Sequence, residues 1–382
     1  MSLITTTAEL AAFAERMAAE RFVAVDTEFM RDRTFFPKLC LVQVAGAAEA
    51  VAIDPLAPGI DLAPLVGLMD APGVVKVLHA ARQDLEIFFR LSGRLPAPLY
   101  DTQVAAMVCG FGEEVAYETL VNEIARGRLD KASRFTDWAR RPLSPAQLTY
   151  ALGDVTHLRT IYEALSKRID KAGRTAWVEE EIRSLADPAI YQPDVGEAWR
   201  RLKPRSRDRR FLGIVKALAT WREREAQRRD LPRNRVLRDD LVMEIAATRP
   251  TSVEALRELE RVSLDRESAK AVVAEIQAAM ALPDAELPEA EVPVRLPRGI
   301  GPIVDMLRVL LKLRSEESEV AQRLIANGSD LEAIALDDDA DVPALKGWRR
   351  DIFGEEALAL KRGGIGLAIR NRRPTVVPLP EA

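Results

Sequence analysis

Cysteine and histidine are both scarce in this chain of 382 residues: only Cys40, Cys109, His79 and His157 occur. Two cysteines without CxxC spacing argue against a disulfide framework or a thiolate zinc site, and they suit a reducing cytoplasm. With so few imidazoles and thiols, any bound metal would need oxygen ligands, which favours hard cations such as Mg²⁺ or Mn²⁺. No apolar run approaches the roughly 18 residues of a membrane span, and "MSLITTTAELAAFAERMAAE" lacks the basic-then-apolar order of an export signal. A soluble cytoplasmic protein is expected. Net charge is also small, −4, but it is the balance of 55 basic and 59 acidic residues, so local distribution matters more than the sum. What is present is a 48% hydrophobic fraction, enough for two or three domain cores at about 150 residues each.

The first part of the chain alternates strand-like and helix-like segments. Thr7 and the following "AELAAFAERMAAE" read as a capped amphipathic helix; "FVAVDTEF", "LCLVQVA" and "EAVAIDP" read as three successive strands. "LAPLVGLMD" is helical, "VVKVLHA" is a buried-strand run, "RQDLEIFFRLSG" is a helix, and "LYDTQVAAMVC" is a short strand running into a helix. From Ser144, "SPAQLTYALGDVTHLRTIYEALSKRI" has a Ser N-cap, a Pro in the first turn and a long apolar stripe. Three strands followed by βα units predict an α/β domain with a mixed sheet over residues 1–187. A Pro-punctuated connector spans 188–208, helical patterns occupy 209–282, an acidic Pro-rich linker covers 283–299, and 300–373 is again helical, with "RGGIG" as a helix terminator.

Within "RFVAVDTEFM", period-2 alternation puts Asp26 and Glu28 on one strand face. Two like charges on an apolar strand repel and lose hydration, so they call for a partner. A strand end with Arg31 and Arg33 nearby is one explanation. Asp84 follows the buried strand and, alone, reads as a helix N-terminal charge. Tyr150 and Asp154, four residues apart, are neighbours on a helix face, a spacing that recurs by chance on many surfaces.

Taken in order, D-x-E on the first strand, Asp after a later strand and Tyr-x-x-x-Asp on a long helix resemble the DEDD exonuclease superfamily in its tyrosine-bearing branch. "VAVDTEFMRDRTFFPKLCLVQVA", "VLHAARQDLEIF" and "LTYALGDVTHL" resemble the ribonuclease D family. The resemblance extends to HRDC helical domains: "ALATWREREAQRRDLPRNRVLRDDLVMEIAATRPTS" is similar to the first and "LKGWRRDIFGEEALALKRG" to the tail of a second. It implies a ribonuclease H-like mixed-sheet exonuclease domain followed by two all-α HRDC-like domains. It also implies a two-metal 3′-to-5′ exoribonuclease acting, as a monomer, on tRNA precursors and other small RNAs with unpaired 3′ ends, releasing 5′-monophosphates.

Residue by residue, the resemblance makes Asp26 the bridge between two divalent ions, Mg²⁺ or Mn²⁺, roughly 4 Å apart. Glu28 and Asp154 complete the ion that activates water, Asp84 helps hold the other through water, and Tyr150 orients the attacking water, since a tyrosine of pKa ~10 is a poor neutral base. His79 stands near the nucleotide on this reading, against the alternative of a satisfied buried histidine. His157 takes a supporting role, and Gln43 is a strand residue near the site. A DNA-directed exonuclease and a catalytically silent RNA-binding adaptor are the alternatives. Between Arg200 and Arg238 fifteen basic residues face four acidic ones, the footprint of a phosphate-binding surface, with Arg205, Arg207, Arg209 and Arg210 as candidate contacts. Trp221 and Trp348 sit in helical apolar patterns and read as core anchors rather than base-stacking platforms.

Overall fold

A computed structural model describes residues 2–129, 136–290 and 296–380. The chain opens with β1 (Ser2–Ile4), α1 (Thr7–Met17), β2 (Phe22–Met30), β3 (Lys38–Ala45) and β4 (Ala50–Ile53). It continues through α2 (Ala63–Asp70), β5 (Val75–Leu78), α3 (Arg82–Ser92), β6 (Leu99–Asp101) and α4 (Thr102–Val108). The short α5 (Tyr117–Leu120), the 28-residue α6 (Pro145–Ala172) and α7 (Thr175–Leu185) complete the α/β domain.

The six strands form one mixed sheet in the order β1-β4-β3-β2-β5-β6. β2 and β3 are antiparallel, as are β3 and β4, while β5 and β6 run parallel to β2. Alternation along β2 sends Val23 and Val25 into a core with Leu10 and Phe13 of α1 and Leu85 of α3. Ala24 faces the other way, against Val155 and Leu158 of α6. Asp26 and Glu28 share that α6 side, which is the first requirement for meeting Asp154.

Two local differences from the sequence reading have simple causes. The cap of α1 is Thr6 rather than Thr7: its hydroxyl accepts from Glu9 N at 3.3 Å while the Glu9 carboxylate accepts from Thr6 N at 3.2 Å. The edge strand β1 is unannounced because three residues are too few to show a period.

The first helical unit comprises α8 (Arg209–Arg229), α9 (Arg233–Val236), α10 (Asp239–Thr248), α11 (Val253–Arg257) and α12 (Arg266–Ala281). Trp199, from the segment read as a connector, is buried in this unit's core with Leu212, Val215 and Ile276. The connector is therefore partly packed structure, a 3₁₀ helix over Val195–Leu202. Residues 291–295 of the expected linker lie outside the described residues.

The second unit holds α13 (Ile300–Ser318), α14 (Gln322–Ile325), α15 (Gly328–Leu336), α16 (Gly347–Arg349) and α17 (Glu355–Lys361). It is not all-α. After Gly363, at φ +79°, the chain forms a hairpin of β7 (Ile365–Arg370) and β8 (Arg373–Pro378) instead of helix to Arg373. Asn371 and Arg372 both have positive φ, 50° and 62°, which suits a two-residue hairpin turn, and Thr375, Val376 and Val377 favour strand.

Both helical units dock on the α/β domain. The second shares a continuous core with α4, α6 and α7, in which Trp348 stacks on Trp177 at 4.5 Å. The first meets the β2–β3 loop: Phe36 N donates to Asp230 Oδ1 at 3.0 Å and Arg233 lies over the Phe35 ring at 4.4 Å. Trp221 is packed partly into the first unit's core, so both tryptophans are anchors.

Candidate metal centre and active site

Three elements converge on the acidic site. β2 supplies Asp26 and Glu28, with a bulge beside Glu28, a device that re-aims side chains at sheet rims. α6 supplies Asp154 and Tyr150. Ser144 fixes its start through a capping box with Gln147, and Ala151, Val155 and Leu158 bury its stripe, which sets the rotation of the helix against the sheet. α3 supplies Asp84 in its first turn, where the carboxylate accepts a hydrogen bond from the buried Thr27 hydroxyl.

Oxygens of Asp26, Glu28 and Asp154 all come within 4.8 Å of one another. Asp84 stands outside that trio but close enough for its charge to act on Asp26 and Glu28. Burial first, then Asp154, Asp84 and Glu28, push Asp26 well above the usual carboxylate range. Burial, Asp154 and Asp84 raise Glu28 to about 9. Burial raises Asp84 to about 7 against the opposing hydrogen bond from Thr27. Hard oxygen donors whose mutual repulsion disfavours their own ionisation are a donor set that a divalent cation completes.

Asp26, Glu28 and Asp154 open into a cavity of about 740 Å³ lined also by Tyr150, Tyr117, His79, Trp138 and Leu158. The Tyr150 ring lies 6.0 Å from Trp138. His79 lines the wall as a satisfied residue: its Nδ1 is 3.0 Å from Thr102 Oγ1, its ring is 5.4 Å from Tyr117, and burial lowers its pKa. His157 packs against Gly127, where a Cβ would meet its ring at 2.6 Å. Gln43 pairs in register with Asp26 on the same face and is fully buried.

Sequence reasoning missed Tyr117. Its hydroxyl donates to the Asp154 carbonyl at 2.6 Å, and burial with the charges of Asp154 and Asp26 pushes its pKa upward. No periodic signal marks it, because α5 is only four residues long.

The four basic candidates divide into two pairs. Arg210 donates to the carbonyls of Ala279, Met280 and Leu282 at 3.2, 3.1 and 2.6 Å, closing the C-terminus of α12, and Arg209 donates to Leu287 O at 2.7 Å. Both guanidiniums hold the first helical unit together. Arg205 and Arg207 are exposed. Arg210→Ala is expected to lower stability by about 1.5–3 kcal/mol, measured by denaturant unfolding. Arg205→Ala and Arg207→Ala are expected to stay within about 0.5 kcal/mol, and the reverse order would contradict this division.

A family model described as 3′-5′ exonuclease matches residues 1–170, and an HRDC domain model matches 211–266. Ribonuclease D of Gluconacetobacter diazotrophicus is 50% identical over 379 residues, covering 98% of this chain and 96% of that relative. Ribonuclease D of Acidiphilium cryptum is 51% identical, covering 99% and 97%. The crystal structure of Escherichia coli RNase D, described as an exoribonuclease involved in structured RNA processing, matches with a TM-score of 0.82 at 30% identity, covering 94% of this chain and 98% of that one.

Proposed function

Because the chain belongs to the ribonuclease D family and is a 3′-5′ exoribonuclease, we propose that Asp26, Glu28, Asp84 and Asp154 hold two divalent ions, Mg²⁺ or Mn²⁺. On this reading it trims unpaired 3′ ends of tRNA precursors and other small structured RNAs. The observation that carries this is the approach of three carboxylate oxygens within 4.8 Å at the cavity floor. Bound divalent ions supply charge that offsets the developing phosphorane and lower the pKa of water.

The chain's own residues then do three things. Asp26, Glu28 and Asp154 fix where positive charge sits, and Asp84, tethered by Thr27, adds a fourth negative group at the edge. Tyr150, one helical turn before Asp154, orients the attacking water by hydrogen bonding. Tyr117, held on the Asp154 carbonyl, braces α6 so that Asp154 keeps its position, and with His79 it walls the pocket for the terminal nucleotide. We assign the chemistry to residues 1–187, and RNA holding to the helical units at 209–282 and 300–373. The free, buried Cys40 and Cys109 accord with a reducing cytoplasm.

Matched single-stranded RNA and DNA oligonucleotides, and a tRNA precursor with a 3′ trailer, test the proposal with and without Mg²⁺. The expected result is metal-dependent release of nucleoside 5′-monophosphates from RNA, slower from DNA, with precursor trimming that stops at the mature acceptor end. Faster cleavage of DNA, or trimming that proceeds into the acceptor stem, would overturn it.

A further inference from the structure

A second cavity, about 540 Å³, lies where the α/β domain meets the first helical unit, and five arginines line it: Arg31, Arg82, Arg90, Arg201 and Arg233. Its volume falls in the ~300–1,000 Å³ range of ligand sites. Glu86 pairs with Arg31 at 2.8 Å, and Glu223 serves both Arg201, at 3.0 Å, and Arg233, at 2.6 Å. Asp230, bound by Phe36 N, also faces Arg90, and five guanidinium groups against these three carboxylates still leave an excess of positive charge in a concave site, where low-dielectric walls concentrate the field.

Arg82 is the telling residue. It is exposed and is the first residue of α3, where a cation opposes the helix dipole. Stability alone does not favour an arginine there. Aromatic faces are also present: Arg90 lies over the Phe36 ring at 3.1 Å, and Tyr191 lines the same wall. Cations beside aromatic rings are the furniture of sites that take single-stranded nucleic acid.

The two cavities adjoin. Gln83 lines both, and Arg31 of the second sits in sequence between Met30 and Asp32 of the first. We propose that this groove binds the phosphodiester backbone of the RNA strand upstream of the 3′ end, so that the α/β domain and the first helical unit grip the substrate jointly beside the acidic centre. The inference rests on the exoribonuclease reading and adds a subsite to it. The grip sits on the interface between the two parts, so the first helical unit contributes directly to how a long substrate is held.

The test is the ratio of kcat/KM on a strand of about 12 nucleotides to that on a dinucleotide, for the wild-type protein and for R82Q/R201Q. Glu223 retains Arg233 in the variant, which protects the fold. We expect the ratio to fall about tenfold, through KM. The salt dependence of long-strand affinity should flatten by about 1.4 in log–log slope, two contacts at about 0.7 each. An unchanged ratio and slope overturn the groove, whether or not both substrates weaken together. Absence of monophosphate release by the wild type would instead overturn the catalytic reading; the groove is then still judged by salt-dependent binding of the same long strand measured by anisotropy.

Discussion

Asp26→Asn is expected to lower RNA hydrolysis by about 10³-fold or more, a loss of about 4 kcal/mol of transition-state stabilisation at 1.36 kcal/mol per decade. Asp26 lies at the centre of the electrostatic site: Asp154, Asp84 and Glu28 all act on it. A neutral amide there removes charge from the middle of the donor set, and no other carboxylate of the trio can take its place without moving a strand or helix. The fold does not need that charge. Asparagine has nearly the same shape, the backbone of Asp26 stays paired with Gln43, and the carboxyl it replaces is already pushed towards its neutral form by burial and by Asp154, Asp84 and Glu28. The variant should therefore melt at or above the wild-type temperature in the absence of metal while losing activity. Melting by circular dichroism and monophosphate release on the same sample check both halves. A well-folded Asp26→Asn protein that cleaves at the wild-type rate would falsify the assignment.

The part of the site that rests on period was legible in the sequence. Alternation placed Asp26 and Glu28 together, the i, i+4 spacing placed Tyr150 and Asp154 together, and the Ser144 and Pro145 signals marked the start of α6. What escaped depended on packing between distant segments. Tyr117 reaches the site only because the short α5 lies beside α6. Lys76 looks out of place in an apolar strand, yet it is buried with Nζ donating to the carbonyls of Ala71 and Val74 at 2.7 Å and to that of Ala97 at 2.5 Å. The charge count over 200–238 could not separate Arg210, which closes a helix end, from Arg82, outside that stretch, which lines a cavity. The hairpin at Ile365–Pro378 was hidden by reading its glycines only as helix stops.

In the presence of chelator, the melting temperature is expected to fall as pH rises from about 5 to 9, and saturating Mg²⁺ should remove most of that fall. Glu28 is raised to about 9 and Asp84 to about 7, chiefly by burial, whereas in the unfolded chain they titrate near ~4.3 and ~3.9. Between those limits the folded state binds more protons than the unfolded state, so stability declines with rising pH. The decline from Asp84 tapers off as pH passes about 7, while that from Glu28 runs through the same range and continues to about pH 9. The size is on the order of a few kcal/mol, which is about 5–10 °C for a domain of this length. Other groups act with the opposite sign: the pKa values of His79 and His157 are lowered by burial, and that of Lys76 is pushed down to about 8, so each favours folding as pH rises. Comparison with Glu28→Gln cancels these shared contributions. The variant should fall less steeply across the whole range from about pH 5 to 9, because folded Glu28 carries its extra proton throughout it, while the share from Asp84 remains. Mg²⁺ binds the ionised carboxylates, so calorimetry in two buffers of different ionisation enthalpy should show proton release on binding near pH 7, and less of it in Glu28→Gln. Parallel melting curves for the two proteins in chelator, together with equal proton release, would show that Glu28 is ionised without metal and that the acidic cluster is not held in its protonated form by repulsion.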